Sequence, residues 1–160
     1  MCVLRVTGKR FDVDQHLAAS GLSPCNVFRT GEFRSTSRPQ GKRHEVSGFT
    51  VEVSRGSWSC VDGQVNDAIA FLKQHKDALA VLRSAPGVED MRLDFSVDLR
   101  IDRESVLVQF DYFPPALVSR AGALGLGLEI SVYPVDLEEL VRARREKRTR
   151  SRTRTQRRRG

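Results

Sequence analysis

An unbroken alternation of apolar and polar residues near the middle of the chain limits the possible folds more than any other pattern in the sequence. Every second residue between positions 91 and 100 is apolar, namely Met91, Leu93, Phe95, Val97 and Leu99. Side chains of a strand point alternately to its two faces, so this period of two predicts a strand with one buried face and one solvent face. The expected setting is a sheet that is covered on one side only.

Weaker alternation of the same kind predicts four further strands, at residues 3–7, 48–54, 106–112 and 128–132. The strand at 106–112 follows the one at 91–100 after a short polar turn, and this spacing is typical of an antiparallel hairpin. The sequence therefore predicts five strands, two of them paired as a hairpin.

Apolar residues at helical spacing predict three helices between these strands. The first begins at Asp12 and ends at Gly21, the second covers 63–83, and the third begins at Pro114-Pro115. The order is β-α-β-α-β-β-α-β. We expect an α+β fold with a five-stranded, largely antiparallel or mixed sheet and helices on one face, a variant of the ferredoxin-like fold.

One stretch between the first two predicted strands lacks a regular pattern. Residues 23–47 contain several prolines and glycines, together with six basic residues: Arg29, Arg34, Arg38, Lys42, Arg43 and His44. The sequence predicts a long basic loop here. Loops of this length are usually either functional or disordered.

The charge is concentrated at the C-terminal end. The chain has 160 residues and a net charge of +7, but residues 141–160 contain 11 Lys and Arg against one acid, Glu146. The remaining 140 residues have 16 basic and 19 acidic side chains. Because a block of like charge buries little apolar surface, we predict an α+β domain at 1–135, a terminal helix at 136–148 and a disordered tail at 149–160.

The composition also bears on the cellular setting. No apolar run approaches the ~18 residues of a membrane span, and the first residues resemble a strand rather than a secretory signal. The three cysteines, Cys2, Cys25 and Cys60, are odd in number and widely spaced. We therefore expect a cytoplasmic protein with reduced thiols and no membrane association.

Several short motifs resemble the bacterial family catalogued as domain of unknown function 4279. They are Leu4-Arg5-Val6, the helix start at Asp12, Gly21-Leu22-Ser23-Pro24, Phe28-Arg29-Thr30-Gly31-Glu32, Gly56-Ser57-Trp58 and Leu124-Gly125-Leu126. Their order and spacing agree with the family from about residue 3 to residue 134. The resemblance implies the fold and implies no activity, and the basic tail lies outside it.

Motifs for catalysis, cofactor binding or metal binding are not found in the sequence. Gly125-Leu126-Gly127 is better explained as a helix end than as a phosphate loop, and there is no paired cysteine or His-Glu-x-x-His spacing. We predict no catalytic residue, cofactor or metal. The alternative that stays open is a small hydrolase or transferase with a pocket near Arg29, Cys60 and Trp58.

Arg29, Arg55 and Trp58 are the candidate ligand-binding residues of the domain. An aromatic ring with guanidinium groups nearby can stack a base or hold an anion. In the alternative interpretation Trp58 closes the edge of the core and the arginines are solvated or paired with acids. Asp94 falls on the polar phase of its strand and is expected to face solvent.

The candidate nucleic-acid-binding residues are Arg150, Arg152, Arg154, Arg157, Arg158 and Arg159. Arginines of this kind contact phosphates without reading base sequence. The alternative is an incidental, solubilising terminus. The function that we expect is a non-catalytic binding or interaction module for an unknown protein or small ligand, with the tail attached non-specifically to nucleic acid. A toxin-immunity protein is one concrete version, and the oligomeric state is not predicted.

Overall fold

The computed structural model describes residues 1–35, 40–101 and 106–134. In chain order the elements are β1 (Cys2–Gly8), α1 (Val13–Ser20), β2 (Asn26–Phe28), β3 (Ser47–Ser54), α2 (Val61–Gln74), α3 (Lys76–Arg83), β4 (Asp90–Leu99), α4 (Pro115–Ala123) and β5 (Gly127–Pro134). None of these helices has the length and apolarity that crossing a membrane requires. The predicted terminal helix at 136–148 and tail at 149–160 lie outside the described residues.

The five strands form one mixed sheet in the order β2-β3-β1-β4-β5. The central strand β1 pairs antiparallel with β3 on one side and with β4 on the other. Leu4 of β1 lies opposite Val51 and Leu93 in these two ladders, so apolar side chains line up across one face. The predicted α+β class with a five-stranded sheet is confirmed.

The helices cover this apolar face of the sheet. Leu72 of α2, Leu82 of α3 and Leu117 of α4 are buried in one cluster with the side chains of β1, β3 and β4. Burying a leucine side chain contributes about 1.5–3 kcal/mol, so each of these three positions stabilises the domain measurably. The cluster lies within residues 1–97 and 110–131, which form one compact unit.

The first helix follows the sequence prediction closely. The carboxylate of Asp12 accepts a hydrogen bond from the backbone N–H of Gln15 at 3.1 Å, which caps α1. Gly21 ends the helix with a left-handed φ of 65°. Both ends are therefore set by local chemistry, which explains why they could be predicted.

The prediction of a strand at 106–112 is wrong, and so is the prediction that it forms a hairpin with β4. Alternation alone does not make a strand, and here the apolar side chains find no core: Leu107 is 77% exposed and Phe110 is 82% exposed. The side chain of Gln109 donates to Asp98 O at 3.1 Å and accepts from Arg100 N at 2.9 Å. These two bonds occupy backbone groups that a hairpin partner would use.

The fifth strand is instead β2, which lies inside the predicted basic loop. Its three residues pair antiparallel with the start of β3, with Asn26 opposite Thr50 and Phe28 opposite Gly48. The sequence gives little sign of this strand, because three residues are too few to show a period. The observed order of elements is β-α-β-β-α-α-β-α-β.

The long helix predicted at 63–83 is interrupted at His75. This residue has φ −106° and ψ 19°, outside the helical region, and it ends α2 and begins α3. Its backbone N–H donates to Phe71 O at 2.9 Å, and its ring packs 4.5 Å from the ring of Phe71. The apolar stripe continues through the break, which is why periodicity did not reveal it.

Candidate functional site

The structure does not bring together the residues predicted to form a pocket. Arg29 follows β2 next to the start of β3, where Thr30 N donates to Ser47 Oγ at 3.1 Å. Arg55 and Trp58 follow the opposite end of β3. An eight-residue strand is about 25 Å long, so Arg29 lies far from the other two.

Arg29 is committed to acidic neighbours. Its Nε and one terminal nitrogen donate to the two carboxylate oxygens of Asp14 at 3.1 and 2.6 Å, and Glu32 lies at 3.4 Å. The hydrogen bond from Arg29 lowers the pKa of Asp14, and the same contact raises the pKa of Arg29. This bidentate ion pair joins the end of β2 to α1. For Arg29 it agrees with the alternative interpretation, in which the arginines are solvated or paired with acids.

Arg55 and Trp58 occupy the connection between β3 and α2. Arg55 is paired with Glu52, and this contact raises the pKa of the guanidinium, although the arginine side chain is 90% exposed. Trp58 is half-buried. Cys60 is the exposed residue that precedes α2, and its N–H donates to Ser57 O at 3.0 Å.

The histidines are the side chains most often used in acid–base catalysis and metal binding. Each histidine ring packs against a phenylalanine: His16 against Phe11, His44 against Phe28 and His75 against Phe71. No group of three or more metal-binding side chains occurs in the described part of the chain. The alternative of a hydrolase or transferase required Arg29, Cys60 and Trp58 to lie around one pocket. Arg29 lies at the other end of β3 from Cys60 and Trp58, so these three residues do not share a pocket.

A buried polar cluster, which sequence reasoning missed, anchors the connection after β3. Gln64 of α2 is fully buried, and its side-chain nitrogen donates to Ser57 O at 3.1 Å and Ser96 O at 2.8 Å. The N-terminal ammonium of Met1 donates to Gly56 O at 2.7 Å. The available signal was a polar residue on the apolar stripe of a helix, and the role of the cluster is to fix this loop.

The prediction that Asp94 faces solvent is also wrong. Asp94 lies on the polar face of β4 as predicted, but it is only 5% exposed and its Oδ2 contacts a terminal nitrogen of Arg5 at 3.4 Å. Its Oδ1 has no hydrogen-bond partner among the described residues. Alternation identifies the face of a strand and carries no information about what covers that face.

The predicted basic loop contains an ordered segment, which we call the basic arm and define as residues 29–35 and 40–47. Its two sides are joined by backbone hydrogen bonds from Gly31 N to His44 O at 2.8 Å and from Arg34 N to Lys42 O at 3.0 Å. Phe33 and Arg43 form an antiparallel bridge between them. The arm thus continues the pairing of β2 with β3 as an irregular ribbon.

Three cations project from this ribbon. Arg34, Lys42 and Arg43 are exposed, and none forms an ion pair with another described residue. The guanidinium of Arg43 lies 3.9 Å from the ring centre of Phe33, a cation–π contact that holds it in place. Arg34 Nε donates to Arg43 O at 3.2 Å, so the backbone orients a second guanidinium.

The tail residues predicted to bind nucleic acid, Arg150, Arg152, Arg154, Arg157, Arg158 and Arg159, lie outside the described residues. The prediction for them rests on the sequence alone.

The fold and these surfaces define an α+β protein in which helices cover one face of a five-stranded mixed sheet. The chain belongs to the family described as a domain of unknown function, DUF4279, whose model matches residues 1–135. The resemblance drawn from the short motifs is thereby confirmed. No curated protein and no solved structure matches the chain.

Proposed function

We propose that the chain is a non-catalytic binding module that attaches to polyanions, in particular nucleic acid, through the basic arm and the arginine-rich tail. The observation that carries the proposal is the ordered arm, where Arg34, Lys42 and Arg43 are exposed and have no acidic partner among the described residues. Cations that are already paired, such as Arg29, contribute little to such a surface.

The expected mode of binding follows from the distribution of charge. Each phosphate neutralised by an arginine or lysine releases counterions, which favours association at low salt. The 11 cations of residues 141–160 supply most of this effect, and the arm adds three on a fixed backbone. Because phosphate contacts carry no base information, the attachment is expected to be nearly independent of sequence.

The proposal includes a setting and a partner for the rest of the domain. We place the protein in the bacterial cytoplasm, where the body binds a protein or small ligand while the arm and tail hold it to nucleic acid. An immunity protein against a toxin is one concrete version, by analogy of type. A toxin gene beside this one in genomes supports that version, and solitary occurrence counts against it.

The test of polyanion binding is a salt titration on two unrelated DNA duplexes and one RNA. For the full chain, with about half of the tail cations engaged, the logarithm of affinity is expected to fall with the logarithm of salt with a slope of about −4 to −6. Truncation after Arg148 removes six arginines and makes the slope shallower.

The contribution of the arm is measured with the double variant Arg34→Gln/Lys42→Gln. Its matched control is Lys9→Gln/Arg10→Gln, which removes the same charge from an exposed turn outside the arm. We expect the arm variant to make the slope shallower by about 1–2 and the control to change it less. Equal effects would show that only net charge matters, and a marked sequence preference would contradict non-specific attachment.

A further inference from the structure

A groove of about 500 Å³ lies on the helical layer, where it is lined by residues of α2, α3 and α4 and by Leu124. Leu72, Ala123 and Leu124 form its apolar part, and Lys73, Lys76 and Arg120 surround it with positive charge. All of these residues belong to the compact unit formed by residues 1–97 and 110–131. The groove is therefore a property of the packed domain.

The interruption of the helix at His75 accounts for the cations on one wall. Lys73 is in the last turn of α2 and Lys76 is the first residue of α3, so both flank the same junction. The opposite wall is α4, whose small residues Ala116 and Ala123 leave the space open. Arg120 projects from the same helix at its last turn.

The charges of the groove are unbalanced. No acidic side chain lines it, and none of Lys73, Lys76 and Arg120 forms an ion pair with another residue that the structure describes. Grouped like charges repel one another, and an anion that binds among them relieves that repulsion. The apolar part favours a ligand that also has hydrocarbon to bury.

We propose that this groove binds a small amphiphilic anion, with a carboxylate head group between the lysines and Arg120 and a hydrocarbon body against Ala123 and Leu124. The volume is in the range of small-molecule sites, about 300–1,000 Å³. A phosphate backbone has no hydrocarbon to bury against the apolar part of the groove. None of the residues that line the groove belongs to the basic arm or to the tail, so this proposal goes beyond the proposed function.

The first test uses sodium decanoate on the full chain, followed by isothermal titration calorimetry below the concentration at which micelles form. Decyltrimethylammonium has the same chain and the opposite charge. We expect saturable binding of one decanoate per chain and much weaker binding of the cation. Absence of decanoate binding, or equal binding of the two probes, would overturn the proposal.

Variants then place the probe in the groove. Lys73→Gln/Arg120→Gln removes two exposed cations and is expected to weaken decanoate binding about tenfold or more, because the carboxylate loses two charge-assisted hydrogen bonds. Ala123→Phe fills the apolar part and is expected to abolish binding. Its control is Ala80→Phe, at an exposed alanine of α3 that does not line the groove. Unchanged affinity in both groove variants would place the ligand elsewhere.

The two proposals are distinguished by testing the arm variant for decanoate binding and the groove variant for DNA binding. The arm variant Arg34→Gln/Lys42→Gln is expected to leave decanoate binding unchanged, and the groove variant is expected to leave the salt slope for DNA nearly unchanged. Circular dichroism and melting temperature confirm that each variant folds. Displacement of decanoate by an oligonucleotide would assign the groove to the polyanion surface and would remove the small-ligand proposal.

Discussion

Two glycines of this fold share a left-handed backbone conformation but differ in how closely other atoms approach them. Gly21 and Gly87 both have positive φ angles, of 65° and 85°. A Cβ added to Gly21 meets no heavy atom within 4 Å, whereas one added to Gly87 would lie 2.3 Å from Arg10 O. Gly21 is thus required for conformation alone, and Gly87 for conformation and close approach.

Replacing these glycines should separate the two costs. Gly21→Ala is expected to lower the free energy of unfolding by about 1–2 kcal/mol, the usual cost of a left-handed alanine. Gly87→Ala adds a steric clash with backbone and is expected to cost about 1–3 kcal/mol more. Urea unfolding measures both. Equal losses would mean that the turn after α3 moves aside without cost.

Cys2 provides a prediction for the dependence of stability on pH. The thiol is fully buried, and burial raises its pKa well above the ordinary value of 9.0, an effect that the N-terminal ammonium opposes only in part. The folded state therefore keeps the proton that the unfolded chain loses. The contribution of Cys2 to stability is present below pH 9 and is lost as the pH rises beyond it.

We expect the free energy of unfolding to fall above about pH 9 by up to about 1.4 kcal/mol per pH unit from this thiol. The measurement is urea unfolding between pH 8 and about 10.5, with Cys2→Ala as the control that lacks the group. The difference between the two proteins should shrink as the pH rises. A constant difference across this range would show that Cys2 does not titrate on unfolding.

At the level of secondary structure, a strand formed only where the segment could pair with a neighbouring strand. The alternation of β4 and the capped ends of α1 are present as predicted, while 106–112 has the alternation of a strand and no ladder. The short strand β2 has a ladder and almost no alternation. Pairing with a neighbour therefore decided these cases.

A proline substitution tests the irregular character of 106–112. Val108 is 59% exposed and belongs to no strand, so Val108→Pro is expected to change the free energy of unfolding by less than about 0.5 kcal/mol. Leu93→Pro, in the ladder between β1 and β4, should prevent folding. Urea unfolding compares the two. A loss of several kcal/mol at Val108 would mean that this segment pairs as a strand after all.

The whole molecule combines a packed domain with a C-terminal segment of very different composition. We predict that residues 149–160 do not contribute to the stability of the domain, because they contain no large apolar side chain that could join the core. Truncation after Arg148 should leave the melting temperature within a degree or two, since surface charges rarely change stability by more than about 0.5 kcal/mol. Calorimetry tests this, and a drop of many degrees would place the domain boundary nearer the C-terminus.

The features that depend on neighbours along the chain could be predicted before the structure. These are the α+β class, the buried face of β4, the caps of α1, the family and the concentration of charge after residue 140. Each is encoded by spacing, by a capping residue or by local composition, and none depends on distant contacts.

Which distant residues meet could not be predicted from the sequence and follows from the packed structure. It separated Arg29 from Trp58 by the length of β3, buried Asp94, ordered the basic arm and placed Lys73 opposite Arg120 across a groove. These outcomes depend on strand order and helix packing, which join residues far apart in the chain. A periodic pattern shows that a side chain has a buried or an exposed phase, but the partner on that side is chosen by the packing of the whole domain.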